Sequence, residues 1–389
     1  MLPEVSIVIP CLNESDTVGI CVGKAVEWLR NNPSVSGEVI VADNGSTDDS
    51  REIAQAAGAR VVSVPECGYG SALMGGIAAA QGKYVIMGDG DDSYDFSQLT
   101  PFIEKLRAGG ELVQGCRLPS GGGTVLPGAM PFLHRWWGNP MFTCLARWWF
   151  RAPLHDINCG LRGFRREFQL SLDQRCTGME FAVEMVIKAS LRNARIAEVP
   201  VVLHPDGRKA HGPHLRTFRD GWRTLRFYLL YAPNWLYLAP AAALLLSGLA
   251  GYAIALPGMI IGGVKFDVHT LLCASLALIC GCQAAAFFVL AKVFAVTQGL
   301  APATKRYTTA FRWVFLETGI CAGALGLTGG VALLLWATNE WRLTGFASLD
   351  YAKTMRFVIP GATLTAIGFQ TILSSFLMSM LGLKRKNSL

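Results

Sequence analysis

The sequence predicts an α/β domain with a mostly parallel sheet, followed by an all-α transmembrane domain of four helices. Two patterns carry that prediction. From residue 1 to about 215, short apolar runs alternate with helical patterns, as in a sheet whose strands are joined by covering helices. Beyond residue 230, four stretches contain no Lys, Arg, Asp or Glu: 233–264, 268–291, 318–339 and 357–383. Of the 389 residues 51% are hydrophobic and only 16% charged, and the apolar excess is concentrated in these stretches.

Five runs read as strands: VSIVIP (5–10), EVIVA (38–42), RVVSV (60–64), YVIMG (84–88) and ELVQG (111–115). Helical patterns fill the intervals at about 16–31, 48–57, 71–81 and 97–108. Ligands of such sheets bind at the carboxyl ends of the strands, and every informative loop here follows a strand. PCLNESD follows the first. DNGSTDDS follows the second, where Asp43 is placed to accept hydrogen bonds from a base or ribose, and Ser46, Thr47 and Asp48 to cap the next helix. A capped turn without a ligand explains Asn44, Gly45 and Ser46 equally well. PECGYGSAL sets Gly68 and Gly70 ahead of a helix, where backbone can approach a ligand at the helix N-terminus.

The fourth strand runs into DGDDSYDF (89–96). With the chain extended past Gly88, Asp89 and Asp91 point to one side, because side chains alternate along a strand. Two carboxylates so placed suit a hard divalent cation, Mg2+ or Mn2+, which takes further oxygens from water and a substrate diphosphate. The alternative is a solvated turn, but four carboxylates within seven residues, with no basic neighbour in sequence, repel one another unless a counter-ion is supplied. Asp92 is a weaker third candidate, and Asp95 belongs to the N-terminus of the following helix.

In this order and spacing, VSIVIPCLNE, EVIVADNGSTDDS, CGYGSAL and YVIMGDGDDSYDF resemble the family 2 glycosyltransferases with a GT-A fold. With GCR, DINCGLRGFRRE and AEVPV added, residues 4–205 look most like the dolichol-phosphate mannose synthase and polyprenyl-phosphate glycosyltransferase branch. The resemblance implies that Pro10, Asn13, Glu14 and Asp43 line a nucleotide-sugar pocket together with Gly68, Tyr69 and Gly70. It implies further that Asp89 and Asp91 form an Asp-x-Asp metal site, and that Arg117, with Arg135, binds an acceptor phosphate. Asp156 would orient an arginine or the acceptor. Two departures stand out. Ser93 replaces the Gln that often follows the acidic pair in dolichol-phosphate mannose synthases, which leaves the donor sugar open. The late Gly-x-Ser-Lys loop of many relatives gives way to PDGRKAHGPHLRTFRDGWR, where Arg208 and Lys209 are the candidate diphosphate partners. The Gln-x-x-Arg-Trp motif of processive synthases is missing, since LHRWW (133–137) has no Gln three residues before Arg135 and lies too early.

The implied activity is inverting transfer of a hexose from a GDP- or UDP-sugar to a polyprenyl phosphate. A phosphomonoester has its second pKa near ~6, so the acceptor is already largely dianionic at neutral pH and needs no strong general base. A hydroxyl acceptor would need one, and Asp156 or Glu180 would be the candidates. The reading outside enzymology, a transporter or scaffold with a degenerate nucleotide domain, is disfavoured because no span carries a charge near its middle.

The expected organisation is a cytoplasmic catalytic domain (1–230), a four-helix transmembrane domain (233–383) and a basic tail (384–389). Each charge-free stretch exceeds the roughly 20 residues a helix needs to cross a ~30 Å hydrocarbon core. Buried helices of a soluble core rarely run so long without a polar face. Lys305, Arg306, Arg312 and the tail Lys384, Arg385 and Lys386 fall on one side; Lys265, Arg342, Lys353 and Arg356 fall on the other, a positive-inside bias that keeps the first half cytoplasmic. No signal peptide is expected, because VSIVIP is short and has no basic residue before it. The eleven cysteines are then expected as reduced thiols, and without a C-x-x-C pair they offer no zinc site.

Segment 131–153 combines four Trp with His134, Arg135, Arg147 and Arg151, the composition of helices lying in the headgroup plane; a core helix is the alternative. Arg216, Arg219, Arg223 and Arg226 recur near one helical face just before the first span, suited to anionic headgroups or to simple positive-inside flanking. His204, His211 and His214 read as solvated. The net charge of +7 fits an anionic membrane surface better than nucleic acid, for which no role is expected. Relatives with appended spans form oligomers, so the resemblance also implies a homo-oligomer.

Overall fold

The computed structural model describes residues 2–208, 217–297 and 316–382. Lys209, His211, His214, Arg216, Lys305, Arg306, Arg312 and the tail from 383 onward, all named above, lie outside the described residues. The chain divides into two compact units, Met1–Tyr228 and Leu229–Leu389.

The first unit is built on β1 (Val5–Cys11), β2 (Gly37–Asp43), β3 (Arg60–Ser63), β4 (Tyr84–Met87) and β5 (Leu112–Cys116), as the apolar runs predict. A short β6 (Thr124–Val125) follows, then β7 (Arg162–Arg165), β8 (Ile196–Pro200) and β9 (Val202–Leu203). Seven of these form one sheet in the order β3-β2-β1-β4-β7-β5-β8, while β6 pairs with β9. Only β7 runs antiparallel within the large sheet, against both β4 and β5. β7 and β8 escape a search for apolar runs. RGFR owes its place to Arg162, a fully buried arginine whose guanidinium donates to the carbonyls of Cys159, Ile157 and Ala182. IAEVP is a half-exposed edge strand with Glu198 inside it.

Helices α1 (Val18–Asn31), α2 (Ser50–Ala56), α3 (Tyr69–Ala79) and α4 (Thr100–Arg107) join the early strands. α5 (Asn139–Phe150), α6 (Arg166–Ser171), α7 (Glu180–Leu191) and α8 (Thr217–Tyr231) follow. Helices cover both faces of the sheet, so β1 is buried at all seven positions and reads as a continuous apolar run. The loops after β1, β2 and β4 therefore meet along one edge of the sheet.

The second unit holds α9 (Ala239–Ala255), α10 (Val268–Thr297), α11 (Leu316–Leu343) and α12 (Tyr351–Gly382). Among the described residues, four helices are long and apolar enough to cross a membrane: Asn234–Ala255, Val268–Thr297, Leu316–Leu343 and Tyr351–Leu381. The first is shorter than its charge-free stretch, because Pro257 and Gly258 (φ 72°) end it and a hairpin, β10 (Ile260–Ile261) with β11 (Val264–Lys265), turns through Gly262 and Gly263 at positive φ. Small residues bring α11 and α12 into close contact: a Cβ on Gly361 would lie 3.1 Å from the Gly330 carbonyl. Tyr252, Ser275 and Thr363 share hydroxyl hydrogen bonds of 2.6 and 3.1 Å, linking α9, α10 and α12.

Candidate active site

The loops after β1 and β2 are tied together. Asn13, at φ 57°, accepts from the Thr47 backbone (2.8 Å), and its own N–H donates to Ser46 Oγ (3.0 Å). Glu14 N–H donates to Ser50 Oγ at 2.8 Å. Pro10 lies in β1 opposite Ala42. Asp43 is fully buried at the end of β2, accepting from Gly45 and Ser46 N–H and pairing with Arg51 Nε at 2.6 Å. Burial alone would raise its pKa, but bonds from Ser46 and Arg51 outweigh it and hold the carboxyl below its usual range. The second-strand loop is thus a tightly bonded turn, but Ser46 and Thr47 do not cap α2 as expected: they bond Asn13, and only Asp48 accepts from Ser50 N–H at the helix start.

The Gly-Tyr-Gly turn differs from its sequence reading. Gly68 N–H donates to Asn44 Oδ1 (2.7 Å) and Gly70 N–H to the Thr177 carbonyl (2.8 Å), so the donors expected to face a ligand are taken. The glycines are needed for backbone packing instead: a Cβ on Gly68 would strike the Thr177 carbonyl, and one on Gly70 the Cys176 carbonyl. Tyr69 sends its hydroxyl the other way, donating to Asp89 Oδ1 at 2.8 Å.

Asp89 and Asp91 are near enough for their charges to interact, though the chain that carries them is not a strand. β4 ends at Met87, and the chain turns through Gly88–Ser93, with Asp92 at φ 59°. Burial, and then the neighbouring Asp91 carboxylate, push the Asp89 pKa up to about 6. Asp89 has no ion-pair partner among the described residues. Asp91 accepts from Ser93 N–H (3.1 Å) and Ser93 Oγ (2.6 Å), so the residue that departs from the family pattern folds back on the acidic pair. Asp92 pairs with Lys24 at 2.7 Å, and Asp95 accepts from Ser97 ahead of α4. Arg208 stands over this turn, held by Glu14 (2.6 Å) and Asp206 (2.9 Å), with its Nη2 3.6 Å from Asp91.

On the other side of the turn, Arg117 follows β5 and is buried against Asp156. Its Nε and Nη2 donate to the two carboxylate oxygens at 2.7 and 2.9 Å, and its backbone N–H to Oδ2 at 3.1 Å. Burial would raise the Asp156 pKa, but Arg117 overrides it and holds that carboxyl below its ordinary value. Glu198 of β8 fixes the carrying loop, accepting from the backbone of His155 (2.6 Å) and Asp156 (3.2 Å). The remaining Arg117 nitrogen, Nη1, reaches Tyr94 Oη at 3.5 Å. His134 lies within the field of the same guanidinium: burial, then Arg117, lower its pKa.

Segment 131–153 is two-sided. Phe142, Ala146 and Phe150 of α5 are buried, with Tyr228 donating to the Phe142 carbonyl at 3.2 Å. Phe132, Trp136, Trp137 and Trp148 are 59–72% exposed, and Arg135 lies over the Trp136 ring at 5.5 Å. Along α8, Phe218 and Trp222 are likewise exposed.

Residues 6–169 match the glycosyl transferase family 2 model, and residues 289–382 the family 2 C-terminal transmembrane region. A low-salt glycan biosynthesis hexosyltransferase of Haloferax volcanii is 34% identical over 385 residues, covering 98% of this chain and 89% of that protein. The chain belongs to glycosyltransferase family 2. A dolichyl-phosphate hexose transferase of the same organism is 35% identical over 165 residues, 42% of this chain and 68% of that protein. Glucosyl-3-phosphoglycerate synthase of Mycobacterium tuberculosis, solved with Mn2+, UDP and glucosyl-3-phosphoglycerate, covers 59% of this chain and 80% of its own at TM-score 0.47 and 22% identity. At that level of likeness no property of that enzyme carries over.

The protein is therefore a glycosyltransferase and, with its family 2 transmembrane region, an integral membrane protein. Its acidic turn suits a divalent cation on the chemistry of its donors, since a carboxylate pair without an ion-pair partner on Asp89 calls for positive charge. Among the described residues no group of three or more His, Cys, Asp or Glu side chains gathers to hold a metal. Asp89 and Asp91 would supply two ligands, and water and a diphosphate the rest, as is usual for Mg2+. Three groups of this candidate site were beyond sequence reasoning: Tyr94, Gly160 and Glu198. Glu198 lay within AEVPV, and its place beside Asp156 depends on β8 pairing with β5.

Proposed function

We propose that this glycosyltransferase moves a hexose from a GDP- or UDP-sugar to a polyprenyl phosphate at the cytoplasmic face of the membrane, with inversion. The observation that carries the phosphate acceptor is the engagement of Asp156. Both of its oxygens accept from Arg117 and its proton affinity is lowered, so it is a poor base for a hydroxyl and a good anchor for an arginine. Arg117, fixed on one side, would turn Nη1 from the Tyr94 hydroxyl to the anion, with His134 and Arg135 on the neighbouring segment. A dianionic phosphate there attacks the anomeric carbon without a general base.

Asp89 and Asp91 hold the metal on this reading, which when bound neutralises the departing diphosphate. Arg208 would exchange its Glu14 partner for a diphosphate oxygen, while Pro10, Asn13, Glu14 and Asp43 border the nucleoside. The exposed Trp and Phe side chains of 131–153 would lie among lipid headgroups, bringing the acceptor phosphate to Arg117, and the positive-inside bias of the sequence sets the cytoplasmic orientation. Similarity to a dolichyl-phosphate hexose transferase supports the lipid acceptor.

The test is incubation of purified protein with Mg2+ or Mn2+, a panel of GDP- and UDP-sugars, and undecaprenyl or dolichyl phosphate, with products followed by mass spectrometry. Sugar on the lipid phosphate is expected; sugar on a lipid hydroxyl contradicts the proposal. In the same preparation, Arg208→Gln is expected to weaken nucleoside diphosphate binding in Mn2+ by about tenfold or more, as loss of a charged hydrogen bond does. Unchanged nucleotide affinity would remove Arg208 from the site.

A further inference from the structure

Asp89 is held from two directions, by Tyr69 and by Gly160. On one side Tyr69 Oη donates to Oδ1 at 2.8 Å. On the other, Oδ2 lies so close to Gly160 that a Cβ there would strike it, and the same Cβ would come within 3.1 Å of the Tyr94 ring. Gly160 is not at positive φ, so its missing side chain serves this approach and not a backbone requirement. Its N–H donates to Tyr94 Oη at 2.8 Å, and Tyr94 is itself buried. Tyr69 is fixed as firmly, because Gly68 and Gly70 on either side press the start of α3 against the backbone of Cys176 and Thr177.

We propose that Tyr69 and Gly160 are positioning residues that clamp the Asp89 carboxylate in the orientation required to share a divalent cation with Asp91. The Gly-Tyr-Gly turn is then a device for aiming a metal-binding carboxylate, and not a loop that wraps the nucleotide. The proposal rests on the metal reading of Asp89 and Asp91. A carboxylate with one oxygen tied by a phenol and the other backed by a glycine has little rotational freedom to lose on binding the ion. Outer partners of metal ligands act in this way elsewhere, and their loss typically weakens metal binding about 10- to 100-fold.

Mn2+ alone is the probe. The full-length protein in detergent is titrated with Mn2+, and the free ion is followed by its electron paramagnetic resonance signal. Tyr69→Phe, which removes only the hydroxyl, is expected to bind Mn2+ about 10- to 100-fold more weakly. Gly160→Ala, acting from the other side, is expected to do the same. In transfer assays the Mn2+ concentration for half-maximal rate rises by a similar factor in Tyr69→Phe and by more than kcat at saturating Mn2+ falls; a merely structural role would not divide the two in this way. Wild-type Mn2+ affinity in Tyr69→Phe overturns the clamp and leaves the metal pair standing. Absence of Mn2+ uptake by the wild-type protein overturns the metal pair, and the clamp with it.

Discussion

Asp91→Asn in the full-length protein lowers the rate of sugar transfer by about three orders of magnitude, the equivalent of about 4 kcal/mol of transition-state stabilisation. The substitution keeps the Oδ1 acceptor that takes bonds from Ser93 N–H and Oγ, so the turn retains its shape. What it removes is one of the two negative charges of the proposed metal pair. The loss therefore belongs to the charge and not to the fold, and the melting temperature of the variant stays close to wild type. Initial rates at saturating Mn2+ check the prediction. Full activity of Asp91→Asn with metal present would refute the assignment of Asp91.

Asp156→Ala has a different signature, because both the fold and the reaction depend on that carboxylate. Arg117 has a side chain only 10% exposed, and Asp156 is wholly buried beside it. Removing the carboxylate leaves a guanidinium in the interior with no counter-charge, which destabilises a protein by about 3–5 kcal/mol. For a unit of this size that corresponds to a fall of about 10 °C in melting temperature. Transfer falls as well, since the arginine proposed to hold the acceptor phosphate loses the group that orients it. Heat denaturation of the detergent-solubilised variant, followed by circular dichroism, measures the first effect. A variant as stable as wild type would show that the pair is not what holds this loop in place.

Much of the fold was legible because it rests on local pattern. VSIVIP, EVIVA and YVIMG are buried on both faces, so they read as uninterrupted apolar runs, and each matches a strand of the sheet. The four spans were visible for a similar reason, since lipid imposes its demand on every residue along a helix. β7 was not visible: RGFR begins with a buried arginine satisfied by three backbone carbonyls, an arrangement that exists only when Cys159, Ile157 and Ala182 are already in place.

The acidic turn shows where that boundary falls. Its composition and its position after a strand marked Asp89 and Asp91 as candidates, because four carboxylates in seven residues repel one another unless counter-charge is supplied; Lys24 supplies it to Asp92 and Arg208 to Asp91. The expected extended chain was incorrect, because β4 ends at Met87 and the backbone bends at residues 90–92. The role of CGYGSAL also depended on contacts the chain cannot announce locally: the Thr177 carbonyl, more than a hundred residues later in sequence, accepts from Gly70 N–H, Asn44 accepts from Gly68 N–H, and Gly160 backs Asp89. By itself the sequence determined the α/β sheet, the four apolar helices and the identity of the charged groups, since periodicity and charge are written residue by residue. Only the tertiary structure decided which of those groups face one another, that Asp156 is committed to Arg117 and that Tyr69 turns to Asp89, because hydrogen bonds across such separations are set by strand order and not by spacing along the chain.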